Sequence, residues 1–128
     1  MVTCMSLETR YQSLVTNGKH EALSDTTEDK GGSHSGFRPH ELLEAALASC
    51  LNIWLRMYAD EHGIPLGEVF TRVSLDRTTP GEVVFEYDVE LAGPLTDAQR
   101  HRLMQVAKTC PVHQTLSKRI SFANSKEA

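Results

Sequence analysis

The sequence predicts an α+β domain in which antiparallel strands pack around two core helices. Three observations carry this. Residues 39–62 read as one long helix, with apolar side chains nearly all round its axis from Leu42 to Leu55. Residues 69–76 and 82–91 alternate apolar and polar side chains, the period of half-buried strands. Thr96, followed three residues later by Gln99, has the spacing of a capping box and starts a second helix at Asp97.

Taken in order, residues 2–24 read as extended, with Asn17-Gly18 turning the chain between residues 10–16 and 19–23. Residues 25–38 are polar and Gly-rich, a 14-residue loop that is long for a compact domain. Pro39 suits the first position of the long helix, and Gly63 and Pro65 stop it. Pro80-Gly81 separates the two alternating strands, and Gly93-Pro94 ends the second. The second helix reaches about Thr109 with Leu103, Val106, Ala107 and Cys110 on one face. Pro111 then starts a short helix to Lys118, and Ile120-Ser121-Phe122 reads as a last strand. The expected order is therefore βββ–α–ββ–α–α–β. It makes one domain over residues 1–128, divided into N-terminal strands (1–24), a loop (25–38) and a helix–strand–helix core (39–128).

Composition narrows the function. The net charge is -4 with no basic stripe, so nucleic-acid binding has no electrostatic support. The longest apolar stretch, residues 45–55, is interrupted by Ser49 and Asn52 and is too short to span a bilayer. The N-terminus lacks a basic region followed by an apolar run, so no secretion signal is expected. With 3 cysteines there is no secreted disulfide framework, and a reducing cytoplasm is the expected compartment.

Two of those cysteines are the candidate chemistry. Cys50 lies mid-helix among Leu43, Ala46, Leu47, Ile53, Trp54 and Met57. Such a position suits a small buried hydrophobe as well as a reactive thiol. Reactivity needs a lowered pKa, and Cys50 is too far from the helix start for the dipole to supply it. A cation is required, and Arg10, Lys19 and Arg38 are the candidates. Cys110 precedes Pro111, at the start of a helix whose N–H groups favour an anion, although an ordinary junction residue fits there equally well. If the two core helices pack together, the sulfurs come within disulfide reach. Cys4 reads as a strand residue. A zinc site from Cys110, His113 and His40 lacks a second tight ligand pair, so no metal is expected. A hydrolytic Cys–His pair ranks low, because His40 sits roughly 15 Å along the helix from Cys50.

Residues 36–122 resemble the superfamily of osmotically inducible protein C and organic hydroperoxide resistance proteins (OsmC/Ohr). The resemblance rests on Pro39-His40-Glu41-Leu42-Leu43-Glu44-Ala45-Ala46-Leu47-Ala48-Ser49-Cys50, Leu55-Arg56-Met57-Tyr58-Ala59, Leu95-Thr96-Asp97-Ala98-Gln99-Arg100 and Cys110-Pro111-Val112-His113-Gln114-Thr115-Leu116. The Cys-Pro-Val-His form is similar to the general OsmC-like branch. The resemblance implies an OsmC-like fold with antiparallel sheets around two long central helices, assembled as an intertwined homodimer with its sites at the interface. It also implies a cysteine peroxidase without a bound cofactor, acting on organic hydroperoxides and less efficiently on hydrogen peroxide. In that reading Cys50 is the peroxidatic thiol and Cys110 the resolving thiol, and a dithiol or lipoyl group is the external reductant. Neither nucleic acid nor membrane is an expected partner. Apolar neighbours such as Phe37, Trp54 and Met57 would favour greasy substrates.

The family usually places a Glu directly after the proline of the first motif, paired with an Arg that activates the peroxidatic thiol. Here that position is His40, with Glu41 next. Lys19, after the Asn17-Gly18 turn, is the nearest equivalent of the Arg, with Arg38 or Arg10 as substitutes. The alternative function is a non-catalytic or weakly active dimeric redox-sensing or binding protein of the same fold.

Overall fold

Short alternating segments at the N-terminus form an antiparallel sheet in the computed structural model, which describes residues 1–126. Strands β1 (Thr3–Ser6), β2 (Ser13–Thr16) and β3 (Glu21–Ser24) lie in that order. The Asn17-Gly18 turn closes β2 onto β3 as expected, with Asn17 Oδ1 accepting from the Lys19 and His20 amides at 2.9 and 2.8 Å. The loop after β3 is more ordered than its composition suggests. It contains one turn of 3-10 helix (Glu28–Lys30) and returns so that Phe37 bridges to Ser24.

Asp25 organises this loop. Its side chain is 2 % exposed and accepts from the backbone N–H groups of Thr26 (2.7 Å), Ser33 (3.2 Å) and Ser35 (3.0 Å). These donors, Ser35 foremost, hold its carboxyl below its ordinary pKa against the opposing effect of burial. Gly32 and Gly36 permit the close return, since a Cβ on Gly36 would meet the Leu23 carbonyl oxygen at 2.2 Å.

Helix α1 (Pro39–Glu61) starts with Pro39 at its first position, and Gly63 (φ 63°) follows its end. Strands β4 (Val69–Asp76) and β5 (Val84–Leu91) form an antiparallel pair. Their register sets Val69 opposite Leu91, Val73 opposite Tyr87 and Leu75 opposite Phe85, so the apolar residues of both strands share one face. On the other face Arg72 spans Asp88 (2.6 Å) and Glu90 (2.7 Å). Helix α2 (Asp97–Ala107) carries the full capping box: the Gln99 N–H donates to Thr96 Oγ1 at 3.1 Å, and the Thr96 N–H donates to Gln99 Oε1 at 3.0 Å. Helix α3 (Pro111–Leu116) comes last.

The chain divides into two compact units, Met1–Ala45 and Ala46–Ala128, and the boundary falls within α1. The core of the second unit is a cluster of Leu47, Leu51, Leu55 and Ala59 from α1 with Leu66, Leu103, Ala107 and Cys110. The spacing of its α1 members is one every four residues, a single stripe. Val69, Val73, Phe85, Tyr87, Val89 and Leu91 of the β4–β5 pair pack against it. Two polar links fasten α1 to β4 and to the segment that leads into it. Thr71 donates to Asn52 Oδ1 at 2.5 Å, and Arg56 donates to the carbonyls of Leu66 (2.7 Å) and Gly67.

Three expectations are corrected. Helix α1, expected to be largely buried, is not buried all round: Leu43, Ile53 and Met57 are 45 %, 60 % and 49 % exposed, because one chain supplies packing partners for only one side of it. Residues 120–122 form no strand, since no backbone among the described residues pairs with them, and Ile120 and Phe122 are exposed. The second helix is also shorter than α1, at 11 residues against 23, and ends at Ala107. Among the described residues no helix is long and apolar enough to cross a membrane.

Leu51 is fully buried, so Leu51→Ala is expected to lower the unfolding free energy by roughly 2–5 kcal/mol in urea titrations. The depressed pKa of Asp25 makes its contribution complete above the ordinary carboxylate range and lost as pH falls through the folded-state value. Hydrogen exchange at the Ser33 and Ser35 amides is therefore expected to accelerate, relative to the rest of the sheet, below about pH 4 and at neutral pH in Asp25→Ala.

Candidate active site

The second unit brings Cys50 and Cys110 together. Cys50 is positioned by the middle of α1, one turn after Leu47 and one residue before Leu51, both buried. Its own side chain is half-buried, whereas Cys110 is 0 % exposed. Cys110 is the N-cap of α3: its extended backbone (φ -61°, ψ 140°) turns the chain out of α2, Pro111 begins the new helix, and Sγ accepts from the His113 N–H at 3.3 Å. The neighbouring N–H, that of Val112, points to Cys50 Sγ at 3.5 Å. Two successive amides of the first turn of α3 thus each serve one sulfur. All 3 cysteines are reduced.

Burial, first, pushes the Cys110 thiol up from its ordinary pKa. The His113 N–H opposes this, and the Cys50 sulfur beside it adds to the rise through a hydrogen bond and charge repulsion. Cys110 is therefore a protonated thiol at neutral pH. Cys50 is the more accessible of the two residues, and the Val112 N–H points at its sulfur. The arrangement suits one exposed nucleophile and one buried thiol that acts after it.

The other sequence candidates lie in the first unit. Arg38 and Glu41 form an ion pair at 3.2 Å, and the Arg38 N–H also donates to Glu41 Oε1 at 2.9 Å. That N–H, then the guanidinium, holds the Glu41 carboxyl below its ordinary pKa. Arg10 stacks over Tyr11, with its guanidinium carbon 5.5 Å from the ring centroid. Lys19 sits exposed in the β2–β3 turn, and His40 is exposed in the first turn of α1. The pair that the structure assembles is Arg38–Glu41, adjacent in sequence to the His40 position.

Three features were not anticipated. The first is Asp25. The second is a cleft of about 240 Å³ in the second unit, whose lining includes Leu47, Phe85, Tyr87, His113 and Leu116. Its residues come from α1, β5 and α3 and the segments that flank them. The His113 ring meets Tyr87 edge-on, with centroids 6.1 Å apart, so this residue serves Cys110 through its backbone. The third is a hydrogen bond between Trp54 and Thr109 at 2.9 Å. Sequence spacing hinted only at the third, since Trp54 lies one turn beyond Cys50 and Thr109 directly precedes Cys110.

The family model for OsmC-like proteins matches residues 31–124. Among solved structures, an OsmC-like protein from Mycoplasma pneumoniae is similar over 91% of this chain and 85% of its own, with a TM-score of 0.75 at 22% identity. An organic hydroperoxide resistance protein from Legionella pneumophila covers 91% and 88%, with a TM-score of 0.66 at 19% identity. That of Bacillus subtilis covers 91% and 89%, with a TM-score of 0.63 at 20% identity. These likenesses establish the fold. A search of curated protein sequences finds no match.

The burial difference predicts an order of alkylation. In native protein at pH 7.5, iodoacetamide is expected to label Cys50 well before Cys110, as read by peptide mapping. Labelling of Cys110 should stay slow through the ordinary thiol range and grow only above it, since burial raises its pKa. Equal labelling rates at neutral pH would contradict the arrangement.

Proposed function

The chain belongs to the OsmC-like protein family, and within it we propose a cysteine-based peroxidase that reduces organic hydroperoxides and, less efficiently, hydrogen peroxide. The observation that carries this reading is the convergence of a half-exposed and a buried thiol on successive amides of α3. Fold relatives that are organic hydroperoxide resistance proteins support it.

In this reading the Cys50 thiolate attacks the terminal peroxide oxygen. The O–O bond breaks, the alkoxide leaves and takes up a proton as the alcohol, and Cys50 becomes a sulfenic acid. The Cys110 sulfur then attacks Cys50 Sγ. The S–S bond forms, the S–O bond breaks, and hydroxide leaves as water with the Cys110 proton. An external dithiol such as a lipoyl group returns both cysteines to thiols. The cleft lined by Leu47, Phe85, Tyr87 and Leu116 would hold the apolar tail of the substrate. A reducing cytoplasm is the compartment in which this cycle would run.

A homodimer completes the proposal. Leu43, Ile53, Met57, Val84 and Phe122 are large apolar residues left exposed by one chain, and a second copy would cover the open face of α1. It would also offer a strand partner to residues 120–122. A second reading, a dimeric redox sensor with the reactivity of a free thiol, is favoured by the exposed His40 where an activating Glu is expected.

Stopped-flow kinetics with cumene hydroperoxide separate the two. The peroxidase is expected to turn over with dihydrolipoamide and to lose at least about a hundredfold in rate in Cys50→Ser, as removal of a nucleophile does. Rates equal to those of a free thiol and unchanged in Cys50→Ser would leave the sensor reading.

A further inference from the structure

Nothing in the two-thiol chemistry itself explains how the α2–α3 junction keeps Cys110 in place. We propose that the hydrogen bond from Trp54 to Thr109 is the positioning clamp that holds the resolving sulfur against Cys50. The proposal rests on the peroxidase reading for its role in turnover but not for its geometry.

The Trp54 Nε1–H donates to Thr109 Oγ1 at 2.9 Å. Thr109 Oγ1 in turn donates to the Val106 carbonyl at 2.6 Å, which fixes the hydroxyl to the last turn of α2. Both ends are adjacent to a sulfur: Trp54 is one helical turn past Cys50, and Thr109 is the residue before Cys110. The indole is half-buried and packs on the same cluster as Cys110, so its direction is set by packing. Arg102 Nε also donates to Tyr58 Oη at 2.5 Å, which ties α2 to α1 one to two turns before the junction; at the junction itself the remaining attachments, the Val112 N–H apart, are local or apolar. The Thr109 and Cys110 N–H groups return to Val106 and Ala107 at 2.9 and 3.3 Å, which shapes the turn without reaching α1. The Val112 N–H does reach α1, but its acceptor is the reacting sulfur itself. Once that sulfur is oxidised, its acceptor geometry changes, whereas the Trp54–Thr109 bond is untouched by the chemistry.

The sulfenic acid on Cys50 has two fates. Cys110 can displace water from it to form the disulfide, or a second hydroperoxide can transfer an oxygen to it, giving sulfinic acid and one more alcohol. The first fate depends on how often the Cys110 sulfur stands within bonding reach. A clamp independent of Cys50 raises that frequency at the stage where it matters. Removing it from the Thr109 side leaves the attack on the first peroxide unchanged and slows only the second step.

The variants are Thr109→Val, which keeps shape and removes the acceptor, Trp54→Phe, which removes the donor, and Thr109→Ser, which restores the bond. The first measurement needs no peroxide: the Cys50–Cys110 disulfide is equilibrated against reduced and oxidised dithiothreitol. Thr109→Val and Trp54→Phe are expected to lower the equilibrium constant about three- to tenfold, the effect of one side-chain hydrogen bond, with Thr109→Ser near wild type. The second is the fraction of Cys50 found as sulfinic acid by mass spectrometry as cumene hydroperoxide is raised. It should climb in Thr109→Val at an unchanged rate of initial Cys50 oxidation. Fluorescence of Trp54, the chain's single tryptophan, reports whether the bond is lost in the reduced protein. A disulfide equilibrium in Thr109→Val equal to wild type overturns the clamp. Absence of any Cys50–Cys110 disulfide in wild type overturns both the clamp and the peroxidase. A weakened equilibrium in Thr109→Val, without peroxide consumption by wild type, supports the clamp and removes the peroxidase alone.

Discussion

The second unit is organised around the way Cys110 ends one helix and begins the next. A buried side chain at that junction must satisfy the free N–H groups of a helix start and also fit an apolar core. Cysteine meets both demands, because its sulfur accepts weakly from an amide and otherwise packs as a small hydrophobe. Sγ takes the His113 N–H while the residue itself closes the cluster of Leu51, Leu55, Leu103 and Ala107. That capping arrangement leaves the next N–H, at Val112, directed at Cys50. The proximity of the two thiols is thus a consequence of how α3 starts.

The result is a difference of environment between two chemically identical groups, and the proposed chemistry divides its steps along it. Burial makes Cys110 a poor acid and keeps it from solvent, and the presence of the Cys50 sulfur reinforces that. Cys50, at the margin of the packed side of α1, is only partly covered. An exposed thiol is the one a peroxide meets. A thiol that stays protonated and shielded avoids the first oxidation and is preserved for the second step. Asymmetry of environment, rather than any distinctive neighbouring base, separates the proposed roles.

Much of this was legible in the sequence where local rules act. The Thr96–Gln99 box, Pro39 and Pro111 at helix starts, and the alternation of β4 and β5 are short-range signals, and each element forms where they predict it. The misreadings involve surfaces that one chain leaves uncovered. The apolar residues around α1 suggested a largely buried helix, and Ile120-Ser121-Phe122 suggested a strand. Apolarity says that a side chain is best covered, not that the same chain covers it. The least legible features were polar and tertiary. Asp25 looks like any loop aspartate until the chain returns Ser33 and Ser35 to it, and Trp54 looks like core until its N–H finds Thr109. The Arg38–Glu41 pair lies between these cases: both residues were candidates, and their spacing is that of adjacent groups at a helix start.

The central claim is that Cys50 and Cys110 act as a pair. Mass spectrometry of protein treated with one equivalent of cumene hydroperoxide tests it most directly. The account predicts a single intramolecular disulfide linking the peptides that contain Cys50 and Cys110, with Cys4 still alkylatable. A stable sulfenic or sulfinic acid on Cys50 beside a free Cys110 thiol, or a disulfide through Cys4, would contradict it.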